Sequence, residues 1–220
     1  MSVARSFRIG KAFHFDATRT QASALDGHTF TAEITLAASE LVGPGFVADF
    51  GELTPVKRYI DAHLDHRLLD DLIGEGAADE KIADHLRTWC EDHLPPLVAA
   101  RMEQVAVHTG RSVPAAAGDV HFAASHRLGR LPEGHQCGRL HGHDYVVSPL
   151  PGTVLPPAVE VFVKARLNGQ LLNDVVDFEP TSELLAEYVL GVARRDDEMT
   201  AGLRVSETAS SWAECRVSPR

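Results

Sequence analysis

Residues 121–145, HFAASHRLGRLPEGHQCGRLHGHDY, hold histidines and a thiol at spacings that chemistry can use. His141 and His143 flank a single glycine, so with Gly142 in a strand both imidazoles project from one face and can share an ion. The segment before His126 alternates, Phe122 and Ala124 on one side against His121, Ala123 and Ser125 on the other. That suits a strand ending on His126, which then supplies a third nitrogen. Three neutral imidazoles with no fourth protein ligand describe a catalytic zinc site, whose open position takes water or substrate and whose metal acts as a Lewis acid. The competing reading is a set of unrelated histidines in a polar loop, which suits each one singly better than it suits the three together. Cys137 precedes His141 by one short turn and can reach the same cavity without being a ligand. Beside a divalent cation and a general base a thiol is a candidate acid, base or nucleophile, because nearby positive charge lowers its pKa. The alternative is a small buried hydrophobe, which the surrounding glycines and charges disfavour.

The elements that must position these residues come twice. SFRIGKAFHFDA, from Ser6, reads as a strand; a polar loop follows, and HTFTAEITLAA alternates through Phe30, Ala32, Ile34 and Leu36. GPG at 43–45 turns the chain into FVADF. From Glu52 the pattern is helical, with Leu53, Val56, Ile60 and Leu64 in one stripe and Pro55 in the first turn. A second helix is predicted over Asp79–His93, with Ile82, Leu86 and Trp89 on one face and Pro95-Pro96 as its stop. MEQVAVHTG at 102–110 closes the unit as a strand. RSVPAAAGD at 111–119 reads as a linker. After it, VHFAASHR matches AFHFDATR at 12–19, LHGHDY at 140–145 matches LDGHTF at 25–30, and LRVSETASSWAECRV at 203–217 pairs with MEQVAVHTG. Such internal similarity predicts a duplicated unit. The expected fold is α+β, two tandem modules at 1–110 and 111–220, each an antiparallel sheet with helices on one face. The second copy threads in two ways: VVDFEPTSELLAEYV at 175–189 is either its second helix or its first. In the latter case one helix is missing and SPLPGTVLPPA at 148–158 is an insertion.

With 220 residues, of which 44% are hydrophobic, the chain can fill one core or two small ones. A net charge of −10 argues against a nucleic-acid surface, which needs clustered Lys and Arg, yet allows an anionic small substrate in a locally positive pocket. No apolar run approaches a membrane span, and MSVARSFRIG lacks a signal-peptide core. Cys90, Cys137 and Cys215 are a sparse, odd set, so a disulfide framework is not expected and a reducing cytoplasm is.

FAASHRL followed by PEGHQCGRLHGHDY resembles the zinc and cysteine signature of the 6-pyruvoyl-tetrahydropterin synthase family. The spelling EGHQCGRLHGH is most similar to its bacterial branch, the 6-carboxy-tetrahydropterin synthases of 7-deazapurine and queuosine biosynthesis. The resemblance implies a tunnelling fold (T-fold) whose modules associate into a barrel, Zn2+ on His126, His141 and His143, Cys137 as catalytic cysteine, and dihydroneopterin triphosphate as substrate. LDHRLLDD at 64–71 resembles the family's LDH segment, which carries its catalytic Asp and His onto Asp65 and His66. Glu207 in VSETAS resembles its pterin-anchoring glutamate, with Thr208 following as expected, and Glu183 in PTSE is a weaker candidate for the same role.

The two copies have lost different parts. Where the second has His126, His141 and His143, the first has Arg19, Asp26 and His28, with Ala22 in the place of Cys137. The second copy has LNGQLLND at 167–174, with Gly169 where the histidine would stand. In the family, cysteine and zinc come from one subunit and the Asp-His pair from its neighbour, so the copies are expected to assemble one composite site. A homo-oligomer is expected, three chains giving six modules. The alternatives are triphosphate elimination to a 6-pyruvoyl product, and a zinc-stabilised scaffold without catalysis.

Overall fold

The computed structural model describes residues 7–42, 45–110, 116–208 and 211–217, so parts of the GPG turn and of the expected linker lie outside the described residues. Strands β1 (Phe7–Gln21) and β2 (Ala24–Ala38) form a long antiparallel hairpin. Its turn is Ala22 and Ser23 alone, at φ 49° and 65°. Left-handed backbone at both positions is what a two-residue hairpin turn requires to match the strand twist, and it replaces the polar loop expected there. β3 (Met102–Thr109) pairs with β2 and completes a sheet of order β1-β2-β3. Between β2 and β3 run α1 (Thr54–His63), α2 (Asp70–Ile73), α3 (Asp79–His93) and α4 (Pro96–Ala100). The stripe Leu53, Val56, Ile60 and Leu64 is buried together with Ile82 and Leu86 against Phe13, Phe15, Phe30, Ile34 and Leu36, as the sequence periodicity predicts. Each such side chain removed from water contributes roughly 1.5–3 kcal/mol, which is why helix and strand periods hold to one face.

The rest of the chain builds a second sheet of order β6-β4-β5-β7-β8. Its strands are β4 (Val120–His126), β5 (His141–Pro149), β6 (Gln170–Leu171), β7 (Gly202–Ser206) and β8 (Trp212–Arg216), and its helices are α5 (Pro157–Arg166), α6 (Leu172–Val175) and α7 (Ser182–Asp196). The first of the two threadings holds. α5 starts with Pro157 in its first turn and buries Val159 and Val163, with Leu167 one turn on, so PTSE opens the second long helix, α7, and among the described residues only the short α4 lacks a counterpart. The segment 203–217 is a hairpin of two strands rather than one. Trp212 is exposed, its ring 3.8 Å under the Arg204 guanidinium.

The same hydrogen bonds recur in both halves. Leu64 and Asp65 both donate to Ile60 O, and Leu167 and Asn168 both donate to Val163 O. His66 N donates to Asp16 O at 2.7 Å, and Gly169 N donates to Ala123 O at the same distance. The two donors are also alike in backbone, φ 55° at His66 and 71° at Gly169. The halves meet at the ends of their hairpins: Thr18 Oγ1 donates to Ser125 Oγ at 2.9 Å, and Thr29 N donates to Asp144 Oδ2 at 2.8 Å. Gly27 and Gly142 cross so closely that a Cβ on Gly142 would sit 2.2 Å from Gly27 Cα. Among the described residues no helix is long and apolar enough to cross a membrane.

Candidate metal centre and the groups around it

His126 ends β4 and His141 begins β5, and the two are register partners; His143 follows on the same face of β5. The ring centroids lie 4.4 Å apart for His126 and His141, 4.9 Å for His141 and His143, and 5.1 Å for His126 and His143. All three are at most 3% exposed. His126 Nδ1 donates to Pro180 O at 2.9 Å and His141 Nδ1 donates to Arg139 O at 2.8 Å. A carbonyl can only accept, so both Nδ1 atoms carry the proton and both Nε2 atoms present lone pairs. Those two Nε2 atoms face each other at 3.0 Å. Burial, then the charge of His143, pushes the pKa of His126 down to about 3, and burial with the neighbouring histidines pushes that of His141 lower still. Two neutral acceptors held lone pair to lone pair repel one another, and a cation between them turns the repulsion into two bonds. The donor set therefore fits a divalent metal of zinc's preference, with backbone carbonyls fixing the tautomers.

His143 differs. Its Nδ1 is 3.2 Å from Asp16 Oδ1, close enough for an ion pair but out of line for a hydrogen bond, so the buried nitrogen has no formed partner. Burial works against its charged form, yet Asp16, then Glu207 and Asp65, outweigh it and raise the pKa. His66 packs on the cluster from the N-terminal half, its ring 4.2 Å from that of His141 and 6.0 Å from that of His143. Its Nδ1 pairs with Asp65 Oδ2 at 2.8 Å, and Asp65 Oδ1 accepts from Asp16 N at 2.9 Å. These bonds outweigh burial and hold the Asp65 carboxyl below the usual range. Among the described residues two overlapping sets could hold an ion, His66 with His141 and His143, and His126 with His143 and Glu207; within each, the ligand atoms lie within 4.8 Å of one another. The structure thus brings Asp65 and His66 to His126, His141 and His143 inside one chain.

Cys137 sits in a short 3-10 turn, Gln136–Gly138, in the loop joining β4 to β5, half-buried. Burial raises the thiol pKa, and the Glu207 and Asp65 charges raise it further, so any positive charge at the sulfur has to come from a bound cation. Among the described residues no hydrogen bond joins the Cys137 sulfur to His66. Glu207 follows β7 and belongs with His126 and His143, as above. Thr208 Oγ1 accepts from Ser211 N at 2.9 Å. Glu183 is exposed on the first turn of α7, and among the described residues no hydrogen bond or ion pair joins it to the cluster.

Asp16 and Tyr145 were missed. Tyr145 is fully buried, stacked on Phe122 at 4.8 Å and edge-on to His143 at 5.4 Å, and its hydroxyl has no hydrogen-bond partner among the described residues. The signal for Asp16 lay in β1: both faces are buried from Phe15 to Arg19, and a carboxylate there needs a reason. At the matching positions of the first half, Arg19 bonds Asp26 at 2.9 Å and Asp79 at 2.7 Å, and His28 bonds Asp26 at 2.8 Å and Asp144 at 3.0 Å. A guanidinium and an imidazolium fill that place.

An α+β chain with paired antiparallel sheets and a buried three-histidine cluster is thus on the page. The family model described as 6-pyruvoyl tetrahydropterin synthase matches residues 1–114 of the 220. The chain belongs to that family. The match covers the half with Asp16, Asp65 and His66, while the histidine cluster lies beyond it. Among solved structures, the 6-pyruvoyl tetrahydropterin synthase of Caenorhabditis elegans is similar at 21% identity, covering 46% of this chain and 92% of its own, with a TM-score of 0.37. An uncharacterized protein from Wolinella succinogenes is similar at 21% identity, covering 97% of this chain and 99% of its own, with a TM-score of 0.28.

Proposed function

We propose that the chain is a zinc-dependent tetrahydropterin synthase that converts 7,8-dihydroneopterin triphosphate to a 6-carboxy-tetrahydropterin, as in a 7-deazapurine or queuosine-type pathway. Membership of the family supports the substrate class, and the EGHQCGRLHGH spelling favours the carboxy over the 6-pyruvoyl product. The observation that carries the metal part is the pair of Nε2 lone pairs of His126 and His141 facing each other at 3.0 Å in a buried site. We further propose that residues 1–110 and 111–220 are tandem T-fold modules, a reading supported by the hydrogen bonds shared around Asp65-His66 and Asn168-Gly169.

His126, His141 and His143 would hold the ion, which when bound supplies Lewis-acid polarisation to substrate side-chain oxygens. Cys137 Sγ takes a proton from the substrate side chain, and His66, oriented by Asp65, passes protons on. Glu207 is placed to pair with the guanidine-like edge of the pterin through two parallel hydrogen bonds. Burial, then the Glu207 and Asp65 charges, raises the thiol pKa, and a cation beside it would act in the opposite direction, so metal and cysteine chemistry stand together. A second assignment, favoured by the His66, His141 and His143 grouping, makes His66 itself a ligand.

Incubating the zinc-loaded protein with dihydroneopterin triphosphate and weighing the products by mass spectrometry tests the reading. A 6-carboxy product is expected. A 6-pyruvoyl product moves the chain to the other branch, and unchanged substrate sinks the enzyme altogether. We expect three chains per assembly, with the unpaired edges of both sheets closing a barrel. A monomeric mass by light scattering would rule that out.

A further inference from the structure

We infer that Asp16 is a positioning residue that locks metal ligand His143 from the opposite half of the chain and couples it to the Asp65–His66 pair. The inference rests on the metal reading above. Asp16 lies mid-strand in β1 and is 9% exposed. Its backbone and its side chain do separate jobs. The backbone N donates to Asp65 Oδ1 at 2.9 Å and the backbone O accepts from His66 N at 2.7 Å, which fixes the Asp-His pair. The carboxylate accepts from Thr29 Oγ1 at 2.6 Å through Oδ1, the same oxygen that lies 3.2 Å from His143 Nδ1.

Ala123 shows what the backbone alone needs. It makes the matching bonds, its N accepting nothing and donating to Asn168 Oδ1 at 3.0 Å while its O accepts from Gly169 N at 2.7 Å, and it carries no polar side chain. The local architecture therefore forms without a carboxylate, and a buried one costs free energy unless another group uses it. His143 Nδ1 is that group: it is buried and has no formed hydrogen bond. A small rotation of the ring, as Nε2 is drawn onto a cation, brings the Nδ1–H into line with Asp16. Ligating histidines take such carboxylate partners, which fix the tautomer and raise ligand basicity, and losing the partner typically weakens metal binding 10- to 100-fold. Because Asp16 and His143 sit in different halves, metal binding and the docking of the halves must strengthen one another.

The test is zinc affinity of the metal-stripped full chain by chelator competition, with the visible spectrum of the cobalt(II)-loaded protein as a second readout. Asp16→Ala is expected to bind zinc about 10- to 100-fold more weakly and to shift the cobalt bands. Asp16→Asn, whose amide oxygen still accepts from Nδ1–H, should recover most of the affinity. His143→Ala separates the two claims: binding as in wild type overturns the metal reading itself. If His143→Ala loses zinc while folded Asp16→Ala binds as wild type does, the role of Asp16 is overturned. Should Asp16→Ala fail to fold, Thr29→Val decides, since it frees the carboxylate from its tether. A loss of roughly three- to tenfold is expected, and unchanged affinity overturns the proposal.

Discussion

Cys137 and His66 show how far single residues can be read. Cys137 was picked out by its spacing and by resemblance and His66 by resemblance alone, and among the described residues no hydrogen bond joins the Cys137 sulfur to His66. If both act in proton transfer and neither binds the ion, Cys137→Ala and His66→Ala should each lose turnover by about 100-fold or more. Each should retain close to the wild-type zinc content by elemental analysis. Loss of zinc from His66→Ala would instead place that imidazole among the ligands, beside His141 and His143. The histidines were legible because a gap of one residue in a strand puts two side chains on one face. Asp16 was not, because its partner His143 is distant in sequence and no local pattern records the contact. Glu183 was carried by a short motif alone, and it is exposed on a first turn of α7 whose Ser182 and Leu185 are buried.

Among the elements, the two hairpins differ most where it matters for chemistry. The first half turns on Ala22 and Ser23, whereas the second spends residues 127–140 on a loop that carries Cys137. α1 and α3 were legible from their uninterrupted apolar stripes, α3 with its bounds and α1 with a start two residues early, where Phe50–Leu53 forms a 3-10 turn. α5 was overlooked although Val159, Val163 and Leu167 are evenly spaced, because the prolines before it read as an insertion. The crossing of β2 and β5 was invisible to pattern reading, since a glycine recruited for closeness looks like any other. At that crossing Gly142→Ala has no flexible neighbour to displace, only the backbone of Gly27 and Ala124. We expect a loss of about 3 kcal/mol in urea denaturation, together with weakened zinc binding, because His141 and His143 flank the same residue. A native midpoint would contradict the contact.

Across the molecule, His28 joins the halves electrically. It lies between Asp26 on β2 and Asp144 on β5, with Arg19 and Asp79 completing the network behind Asp26. Burial opposes its charge, but Asp144 and Asp26 prevail and raise its pKa from 6.5 to about 9. A group raised in the folded state stabilises fully below its unfolded pKa and loses that contribution as pH climbs through the folded value. Stability should therefore fall between pH 6.5 and about 9, by roughly 3 kcal/mol at most. His28→Gln should flatten that part of a melting-temperature profile, and an equally steep profile in the variant would assign the slope elsewhere.

The Arg19 network also sets a direction of change. Replacing Arg19 alone by a histidine would take from Asp26 and Asp79 the guanidinium they share, and replacing Asp26 alone would leave that largely enclosed guanidinium with Asp79 as its one carboxylate partner among the described residues. A histidine ligand set at that end of the molecule would therefore need Arg19, Asp26 and Asp79 to change together, since each charge there is held by the others.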